Sequence, residues 1–385
     1  MKLTRREILR GAGAALALGS AGCSIFGGEG GGKDLIPRQE TPFNAEPRLD
    51  HLVESWQTPY SKFYVRNHGT MPSIDGAGYK LTVEGLVTRA TSFTLEDLSR
   101  LPKASVPATL QCAGNRRSEH QQVKPVAGVL WDAGAISTAE WKGVRLADLL
   151  EFVGTKSAAK YVWFEGLDSV TLKDRQTLFG GQVPIEKAQR PECIVALEMN
   201  GRPLPREHGF PARTVVPGYI GARSVKWLGR IVVSDKKSDN NFVARDYKLF
   251  PPEAAAETVK PQDFEPIYEN LLNSAIGNPR AGQTLKAGRI KVRGFAIPPG
   301  TAGVALAGVE VSPDGGATWV PAKLLGKDAP FTWKLWEAEV DVAAGSRTLV
   351  VRATDTKGGV QPERAPWNFK GYLWNGWHRV PITVA

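Results

Sequence analysis

The last third of the chain is a succession of short segments in which apolar and polar residues alternate. The clearest examples are residues 289–295, 308–312, 337–342 and 347–353. Turn-forming sequences separate them, such as the Pro-Pro-Gly at 298–300. Alternation with a period of two is typical of strands with one buried face, and short strands at close spacing favour a sandwich. We therefore predict an all-β, immunoglobulin-like sandwich domain over residues 265–385.

A different pattern precedes this domain, because residues 34–263 mix short strands with short helices. The segment 94–98 places a threonine N-cap before two acidic residues, which predicts the start of a helix. We further predict a helix at 144–150, strands at 79–87 and 161–165 (the latter buried), and a strand that ends in the turn 214–218. Strand and helix do not alternate regularly, which favours an α+β fold over a doubly wound parallel sheet.

Charge and cysteine content narrow the classes of function. The 385 residues carry a net charge of +10, which fits an anionic substrate, an acidic partner or an anionic membrane surface. The basic residues are scattered and accompany no nucleic-acid-binding motif, so we predict no nucleic-acid partner. Cysteines at 23, 112 and 193 form neither a disulfide framework nor a CxxC metal site. Cys193 adjoins an apolar run, and we interpret it as a structural core thiol.

The first 33 residues have the features of an export signal followed by a tether. Residues 4–10 contain adjacent arginines, and residues 11–22 form a short apolar stretch of small residues, which is typical of a twin-arginine signal. Residues 20–23 are similar to a lipobox, although Ser20 stands where leucine is usual, so lipidation of Cys23 and simple cleavage both remain open. The glycine-rich residues 27–32 predict a flexible linker. We expect an exported protein, periplasmic or anchored to a membrane through Cys23.

One cysteine lies in a chemically distinctive segment, Thr-Leu-Gln-Cys-Ala-Gly-Asn-Arg-Arg at 109–117. Nearby arginines favour the ionised form of a thiol, and a thiolate is a nucleophile or a ligand for soft metals. On these residues alone, a buried and unreactive Cys112 is the more ordinary interpretation. The segment nevertheless resembles the metal-binding segment of the sulfite oxidase family of molybdenum enzymes. In that family the cysteine sulfur binds molybdenum beside the dithiolene of a molybdopterin.

Further blocks resemble the same family and occur in the family's order. They lie at 63–69, 164–169, 198–213, 215–228, 245–247 and 366–371. The resemblance covers nearly the whole chain after residue 35. It implies an α+β sulfite oxidase-type molybdopterin-binding domain at 34–263, followed by an immunoglobulin-like dimerisation domain at 265–385.

The resemblance also implies roles for individual residues, with Cys112 as the molybdenum ligand. The implied molybdopterin-binding residues are Tyr64, Val65, Arg66, Asn67, His68, Asp168, His208, Arg213, Ser224, Val225 and Lys226. The implied catalytic residues are Tyr247, Arg66, Arg117 and Lys370. Arginine can hold an oxyanion in a fork, an acid can accept hydrogen bonds from a pterin, and a phenol can help to move a proton. Animal members have arginine where Lys370 stands, so the charge is kept but the forked geometry is lost.

Two further residues, Trp131 and Arg116, each have two interpretations. Trp131 matches an aromatic residue at the edge of the family's pocket, and core packing explains it equally well. Arg116 is equally well interpreted as a solvated surface charge.

By resemblance, the chain is a molybdenum-dependent oxidoreductase that converts sulfite to sulfate by oxygen-atom transfer. The sequence contains no CxxCH haem motif, no cytochrome b5 domain and no flavin domain, so we expect an external electron acceptor such as a c-type cytochrome. The family's second domain commonly forms a dimer interface, which predicts a homodimer. Two alternatives remain open: a related molybdoenzyme that reduces nitrate or a sulfoxide, and a non-enzymatic exported lipoprotein that binds a partner.

Overall fold

The computed structural model describes residues 34–173 and 175–385. Within them, the strands that precede residue 235 form one hairpin and two five-stranded sheets. In chain order they are β1 (Leu35–Gln39), β2 (Asn44–Pro47), β3 (Lys80–Gly85), β4 (Thr91–Thr94), β5 (Lys103–Gln111), β6 (Ile136–Arg145), β7 (Tyr161–Thr171), β8 (Gln176–Pro184), β9 (Ile194–Met199), β10 (Arg202–Pro203), β11 (Arg213–Val215) and β12 (Leu228–Ser234).

Antiparallel pairing dominates this first region. The hairpin pairs β1 with β2. One sheet has the order β10-β9-β6-β5, with β11 also paired to β9, and all of its pairs are antiparallel. The other has the order β4-β3-β12-β7-β8, in which only β12 and β3 are parallel. Strands paired in this way, without repeated strand–helix–strand units, give the predicted α+β arrangement.

Short helices fill the connections between these strands. They are α1 (Leu49–Leu52), α2 (Leu95–Arg100), α3 (Arg117–Val123), α4 (Leu146–Val153), α5 (Ile185–Ala188) and α6 (Asn241–Ala244). The predicted N-cap of α2 is confirmed. The Thr94 hydroxyl accepts a hydrogen bond from the Asp97 N–H, and the Asp97 carboxylate accepts one from the Thr94 N–H. This reciprocal capping satisfies backbone donors that the first turn leaves free.

The predicted helix at 144–150 is wrong in its first two residues. Those residues end β6 and pair with β9. The helix α4 starts only at Leu146 and ends before Gly154, whose φ of +71° suits glycine at a helix C-terminus. The strand expected at 161–165 is β7, which is longer than expected and alternates in burial because one face meets solvent.

The strands after residue 272 form the two sheets of a sandwich. They are β13 (Asn273–Asn278), β14 (Thr284–Leu285), β15 (Gly288–Ile297), β16 (Leu306–Ser312), β17 (Val320–Pro321), β18 (Lys323–Leu325), β19 (Lys334–Val342), β20 (Gly345–Asp355) and β21 (His378–Val384). The sheet orders are β13-β15-β19-β18 and β14-β21-β20-β16-β17. Apolar side chains of both sheets form one core between them. The predicted sandwich is therefore confirmed, with the expected alternating segments in β15, β16, β19 and β20.

A separate apolar cluster joins the two domains. Trp333 and Phe295 of the sandwich pack with Leu52 and Ile136 of the first domain. The backbone N–H of Trp333 also donates to the Thr109 hydroxyl at 2.8 Å. Burial of large aromatic side chains and a satisfied polar contact together favour one fixed arrangement of the domains.

The N-terminal segment precedes the described residues. The predicted export signal, the predicted linker and Cys23, for which lipidation and simple cleavage both remain open, lie within residues 1–33, outside the described residues. Among the residues that the structure describes, no helix is long and apolar enough to cross a membrane.

Candidate active site

A cleft opens in the first domain where the end of β5 approaches the turn that precedes β12. The two meet closely, since a Cβ at Gly221 would lie 3.1 Å from the carbonyl oxygen of Gln111. The cleft contains about 630 Å³ of atom-free space, including its open mouth. Its lining includes most of the residues that the sequence singled out: Tyr64, Arg66, Asn67, His68, Cys112, Asp168, His208, Arg213, Ser224, Lys226 and Tyr247.

Cys112 directly follows β5 and is held by its backbone. Its N–H donates to the carbonyl of Ala135 at 2.9 Å, and its Sγ accepts a hydrogen bond from the Gly114 N–H at 3.4 Å. The side chain is only 6% exposed and lies on the cleft wall. The Cys112 sulfur is therefore held at the cleft, where it can bind a soft metal.

Tyr247 and His68 form a hydrogen-bonded pair in the cleft. The Tyr247 hydroxyl lies 2.9 Å from His68 Nε2, and the imidazole stacks on Phe179 with ring centroids 4.6 Å apart. Burial, followed by the positive charge of Arg66, lowers the pKa of His68, so the imidazole is neutral. Burial also raises the pKa of Tyr247, so the phenol keeps its proton. The pair can therefore exchange a hydrogen bond, or a proton, with a bound substrate.

Two buried polar atoms at the cleft lack hydrogen-bond partners among the described residues. They are Asp168 Oδ1 and His208 Nε2. Burial raises the pKa of Asp168 to about 6, although the charge of Lys226 acts in the opposite direction. Burial lowers the pKa of His208, which keeps that ring neutral. Because an unpaired buried polar atom costs roughly 1–3 kcal/mol, both atoms suit a bound group with complementary polar atoms.

Positive charge surrounds the same cleft. Arg213 donates to the carbonyl oxygens of His208 at 3.0 Å and Ser224 at 2.9 Å, and burial lowers its pKa to about 10. Lys226 donates to Asn67 Oδ1, and burial followed by the charge of Arg213 lowers its pKa. Neither cation forms an ion pair with a carboxylate in the part of the chain that the structure describes. A bound anionic group would offset the cost of burying them.

Known proteins match this chain over both domains. Residues 68–242 match the family model described as the oxidoreductase molybdopterin binding domain, and residues 265–385 match the Mo-co oxidoreductase dimerisation domain. Mitochondrial sulfite oxidase of Homo sapiens is 44% identical over 364 residues, which cover 91% of this chain and 66% of that protein. Sulfite oxidase of Arabidopsis thaliana is 38% identical over 367 residues, which cover 89% of this chain and 92% of that protein. The chain belongs to the sulfite oxidase family.

A solved structure supports the same assignment. The sulfane dehydrogenase SoxCD from Paracoccus pantotrophus has a TM-score of 0.74 to this chain and 26% sequence identity, and the match covers 89% of this chain and 84% of that one. The predicted sulfite oxidase-type fold, a molybdopterin-binding domain followed by a sandwich, is therefore confirmed. This chain spans just under two thirds of the human relative's length.

The cleft of this sulfite oxidase family member fits the molybdopterin that the family assignment implies. The unpaired atoms of Asp168 and His208 match a pterin that offers both donors and acceptors, and Arg213 and Lys226 match an anionic phosphate. Within 34–173 and 175–385, no group of three or more His, Cys, Asp or Glu residues could hold a metal ion. Cys112 lies on the wall of the same cleft, and its sulfur is a donor that suits a soft metal.

Two of the implied cofactor-binding residues lie behind the cleft lining. Val65 is 2% exposed and its N–H donates to the carbonyl of Ala45 at 2.8 Å. Val225 is fully buried and its N–H donates to the hydroxyl of Thr214 at 2.7 Å. Both N–H groups are thus already used, and both side chains pack in apolar clusters.

Arg117 and Lys370 are not among the residues that line the cleft. Arg117 donates to the carbonyl oxygens of Val129 at 2.9 Å and Lys370 at 3.1 Å. The ammonium group of Lys370 forms a 2.7 Å ion pair with Asp246, the residue before Tyr247. The structure thus leaves the charge of Arg117 unbalanced by a carboxylate among the described residues, while Asp246 balances that of Lys370.

The interpretation of Arg116 as a solvated charge is wrong. Its side chain is fully buried and bonds both Glu119 oxygens at 2.6 and 2.9 Å and the Asn273 side-chain oxygen at 2.7 Å. Trp131 is fully buried too, in an apolar cluster with Phe63 and Cys112. The core interpretation therefore holds for Trp131.

Several lining residues are apolar or glycine and were not singled out. Phe179 supplies the ring on which His68 stacks. Gly221 allows a close approach, because a Cβ there would lie 2.8 Å from the Tyr64 hydroxyl. Phe63 and Gly221 lie inside the blocks that resemble the family, so those blocks could have identified them. Phe179 lies outside every such block and has the pattern of an ordinary strand residue.

Proposed function

We propose that this chain oxidises sulfite at the cleft: SO₃²⁻ + H₂O → SO₄²⁻ + 2H⁺ + 2e⁻. The observation that carries the proposal is the placement of the Cys112 thiol, the Tyr247–His68 pair and unbalanced cations around one cleft. When bound, the molybdenum cofactor supplies the two-electron chemistry and the oxygen-atom transfer. The protein supplies binding, orientation and the handling of protons.

Three kinds of contact would hold the cofactor. Cys112 would bind the metal through its sulfur, and Asp168 and His208 would hydrogen-bond the pterin through their unpaired atoms. Arg213 and Lys226 would face its phosphate. All five residues line the same cleft as Tyr247.

The substrate anion would lie in the positive potential of Arg66 and Arg117. Arg66 lines the cleft, and Arg117 is close enough for its positive charge to contribute to the lowered pKa of His68. The Asp246 carboxylate offsets the charge of Lys370, so we assign Lys370 a smaller part in anion binding. The neutral imidazole of His68 fixes the orientation of the Tyr247 hydroxyl, which keeps its proton and can donate a hydrogen bond to the bound oxyanion.

The sequence also supports proposals on the electron acceptor, the oligomeric state and the location of the protein. We propose that a c-type cytochrome or similar external carrier receives the electrons and that residues 265–385 form a homodimer interface. We also propose export by the twin-arginine route, with the protein periplasmic or held at a membrane through Cys23.

The experiment is metal analysis of the natively exported protein, combined with a sulfite-dependent assay of cytochrome c reduction. We expect stoichiometric molybdenum and turnover of sulfite. Reduction of nitrate or a sulfoxide by a reduced dye, without sulfite turnover, would overturn the proposed direction and substrate. Absence of molybdenum from protein made in a host able to insert it would overturn the enzyme assignment and favour a binding lipoprotein.

A further inference from the structure

A tight turn of the second domain reaches the active site of the first. Its residues are 368–373, and we call it the 368–373 turn. The Gly371 N–H donates to the Asn368 carbonyl at 2.9 Å, and the Asn368 side chain bonds both backbone groups of Tyr372 at 2.9 and 3.0 Å. Gly371 and Leu373 have φ angles of +61° and +58°. The buried Asn368 thus fixes a backbone that would otherwise be unfavourable.

The 368–373 turn holds the guanidinium of Arg117. Arg117 Nε donates to the carbonyl oxygens of Lys370 at 3.1 Å and Gly371 at 3.3 Å. The Arg117 Cζ lies 5.2 Å from the centre of the Tyr372 ring. At Gly371 a Cβ would lie 2.6 Å from Arg117 Cγ, so only glycine fits here without displacing the arginine. The Leu373 N–H also donates to the carbonyl of Ala113, next to Cys112, at 2.8 Å.

The same ring contacts the second active-site group. Tyr372 stacks on Tyr247 with centroids 5.3 Å apart and planes 15° from parallel. Tyr247 in turn hydrogen-bonds His68 at 2.9 Å. One aromatic ring of the second domain therefore contacts both the Arg117 guanidinium and the Tyr247 phenol, which lines the cleft.

The groups that hold Arg117 leave its positive charge available to a bound anion. Carbonyl oxygens and an aromatic face stabilise a buried guanidinium without cancelling its charge, whereas a carboxylate would. Arg117 is 5% exposed and forms no ion pair in the described ranges 34–173 and 175–385. Its field therefore remains available to an anion in the cleft.

We propose that Tyr372 is a positioning residue of the active site. Its ring fixes the uncompensated Arg117 guanidinium and the Tyr247 phenol relative to each other, so the second domain takes part in anion binding. This inference rests on the proposed function only in taking the bound anion to be a sulfur oxyanion.

Binding of sulfate to the oxidised holoprotein, measured by isothermal titration calorimetry, tests the proposal without turnover. Tyr372→Leu removes the aromatic face, and we expect about a three- to tenfold weaker sulfate affinity, the range of a partly buried cation–π contact. Tyr372→Phe keeps the ring and should bind as the wild type does. In the sulfite assay the Leu variant should raise KM by a similar factor.

Circular dichroism establishes that each variant is folded, and Tyr372→Met, which fills more of the volume, replaces the Leu variant if that one does not fold. Wild-type sulfate affinity in a folded Leu or Met variant would overturn the proposal. So would a wild-type protein that binds no sulfate, since then no anion would respond to Arg117. Weaker sulfate binding in these variants, without sulfite turnover in any protein, would support the positioning role and overturn the proposed function instead.

Discussion

Tyr247 is held in a backbone conformation that residues other than glycine rarely adopt, with a φ of +47°. The left-handed region costs an L-residue roughly 1–2 kcal/mol, and such strain persists where the surroundings impose it. Here the ring is fixed by Tyr372 and the hydroxyl by His68. The strain therefore coincides with the group to which we assign proton handling.

The Tyr247 hydroxyl should be needed for turnover but not for folding. Tyr247→Phe keeps the stacked ring and removes the hydrogen bond to His68. We expect kcat/KM for sulfite to fall about a hundredfold, the lower end of what a positioned proton donor contributes. Steady-state kinetics measures the effect, with Tyr372→Phe as the matched loss of a hydroxyl from the neighbouring ring. Equal activity of Tyr247→Phe and wild type would remove Tyr247 from the mechanism.

At the scale of elements, α3 links the Cys112 segment to the second domain. His120 in this helix is fully buried, and its Nε2 lies 3.2 Å from the Tyr372 carbonyl oxygen. Its Nδ1 has no partner among the described residues, and its ring meets the edge of Trp374 at 4.7 Å. Burial disfavours the charged imidazolium and lowers the pKa of His120 to about 4, although the hydrogen bond to the Tyr372 carbonyl acts in the opposite direction.

This histidine should make stability depend on pH in a defined direction. The unfolded histidine titrates near 6.5, so between about 6.5 and 4 the unfolded chain binds a proton that the folded chain excludes. His120 therefore contributes full stability above pH 6.5, and this contribution falls by up to about 3 kcal/mol as the pH drops to 4. Urea denaturation of wild type and His120→Gln across pH 4–8 measures it. In His120→Gln the free energy of unfolding should depend less steeply on pH below 6.5 than in the wild type. The same pH dependence in both proteins would contradict this role of His120.

The starts of helices α2 and α4 differ in how well the sequence predicts them. The cap of α2 was predictable because Thr94 and Asp97 are three residues apart and bond each other directly. The start of α4 was not, because pairing with the distant β9 extends β6 through Arg145. Local chemistry determines the first feature and long-range pairing the second.

Within the site the same contrast holds. The resemblance to the family assigned Cys112, His68, Asp168 and Tyr247 to one active site. All four residues line the same cleft in the structure. The burial of Arg116 was not predictable, because its partner Asn273 lies 157 positions later in the chain. Tyr372 carried no signal either, since a tyrosine after glycine is an ordinary turn residue until its contacts are known.

At the scale of the whole molecule, Arg116 connects the domains. Its guanidinium bridges Glu119 of the first domain and Asn273 of the second. Arg116→Met removes the ion pair and leaves Glu119, whose side chain is 22% exposed, with the hydrogen bond from Trp374 Nε1 at 2.9 Å. We therefore expect a cost of about 3 kcal/mol, the lower end of the range for a broken buried pair. Urea unfolding should show that loss of free energy.

The matched control for this arginine is Arg100→Met. Arg100 forms an exposed i,i+4 pair with Glu96 on α2, with side chains 51% and 71% exposed. We expect a change within about 0.5 kcal/mol there. Equal destabilisation by the two substitutions would show that the domain contact of Arg116 contributes nothing specific.

Cys112 should bind the molybdenum of a pterin cofactor in this cleft. Molybdenum K-edge X-ray absorption counts the sulfur ligands of the metal in wild type, Cys112→Ser and Cys193→Ser. We expect Cys112→Ser to show one sulfur fewer than wild type, because a hydroxyl is a harder and poorer ligand, and turnover should collapse while the fold survives. Cys193→Ser should keep the wild-type count, since that thiol is fully buried in the core. The same sulfur count in wild type and Cys112→Ser would contradict the account.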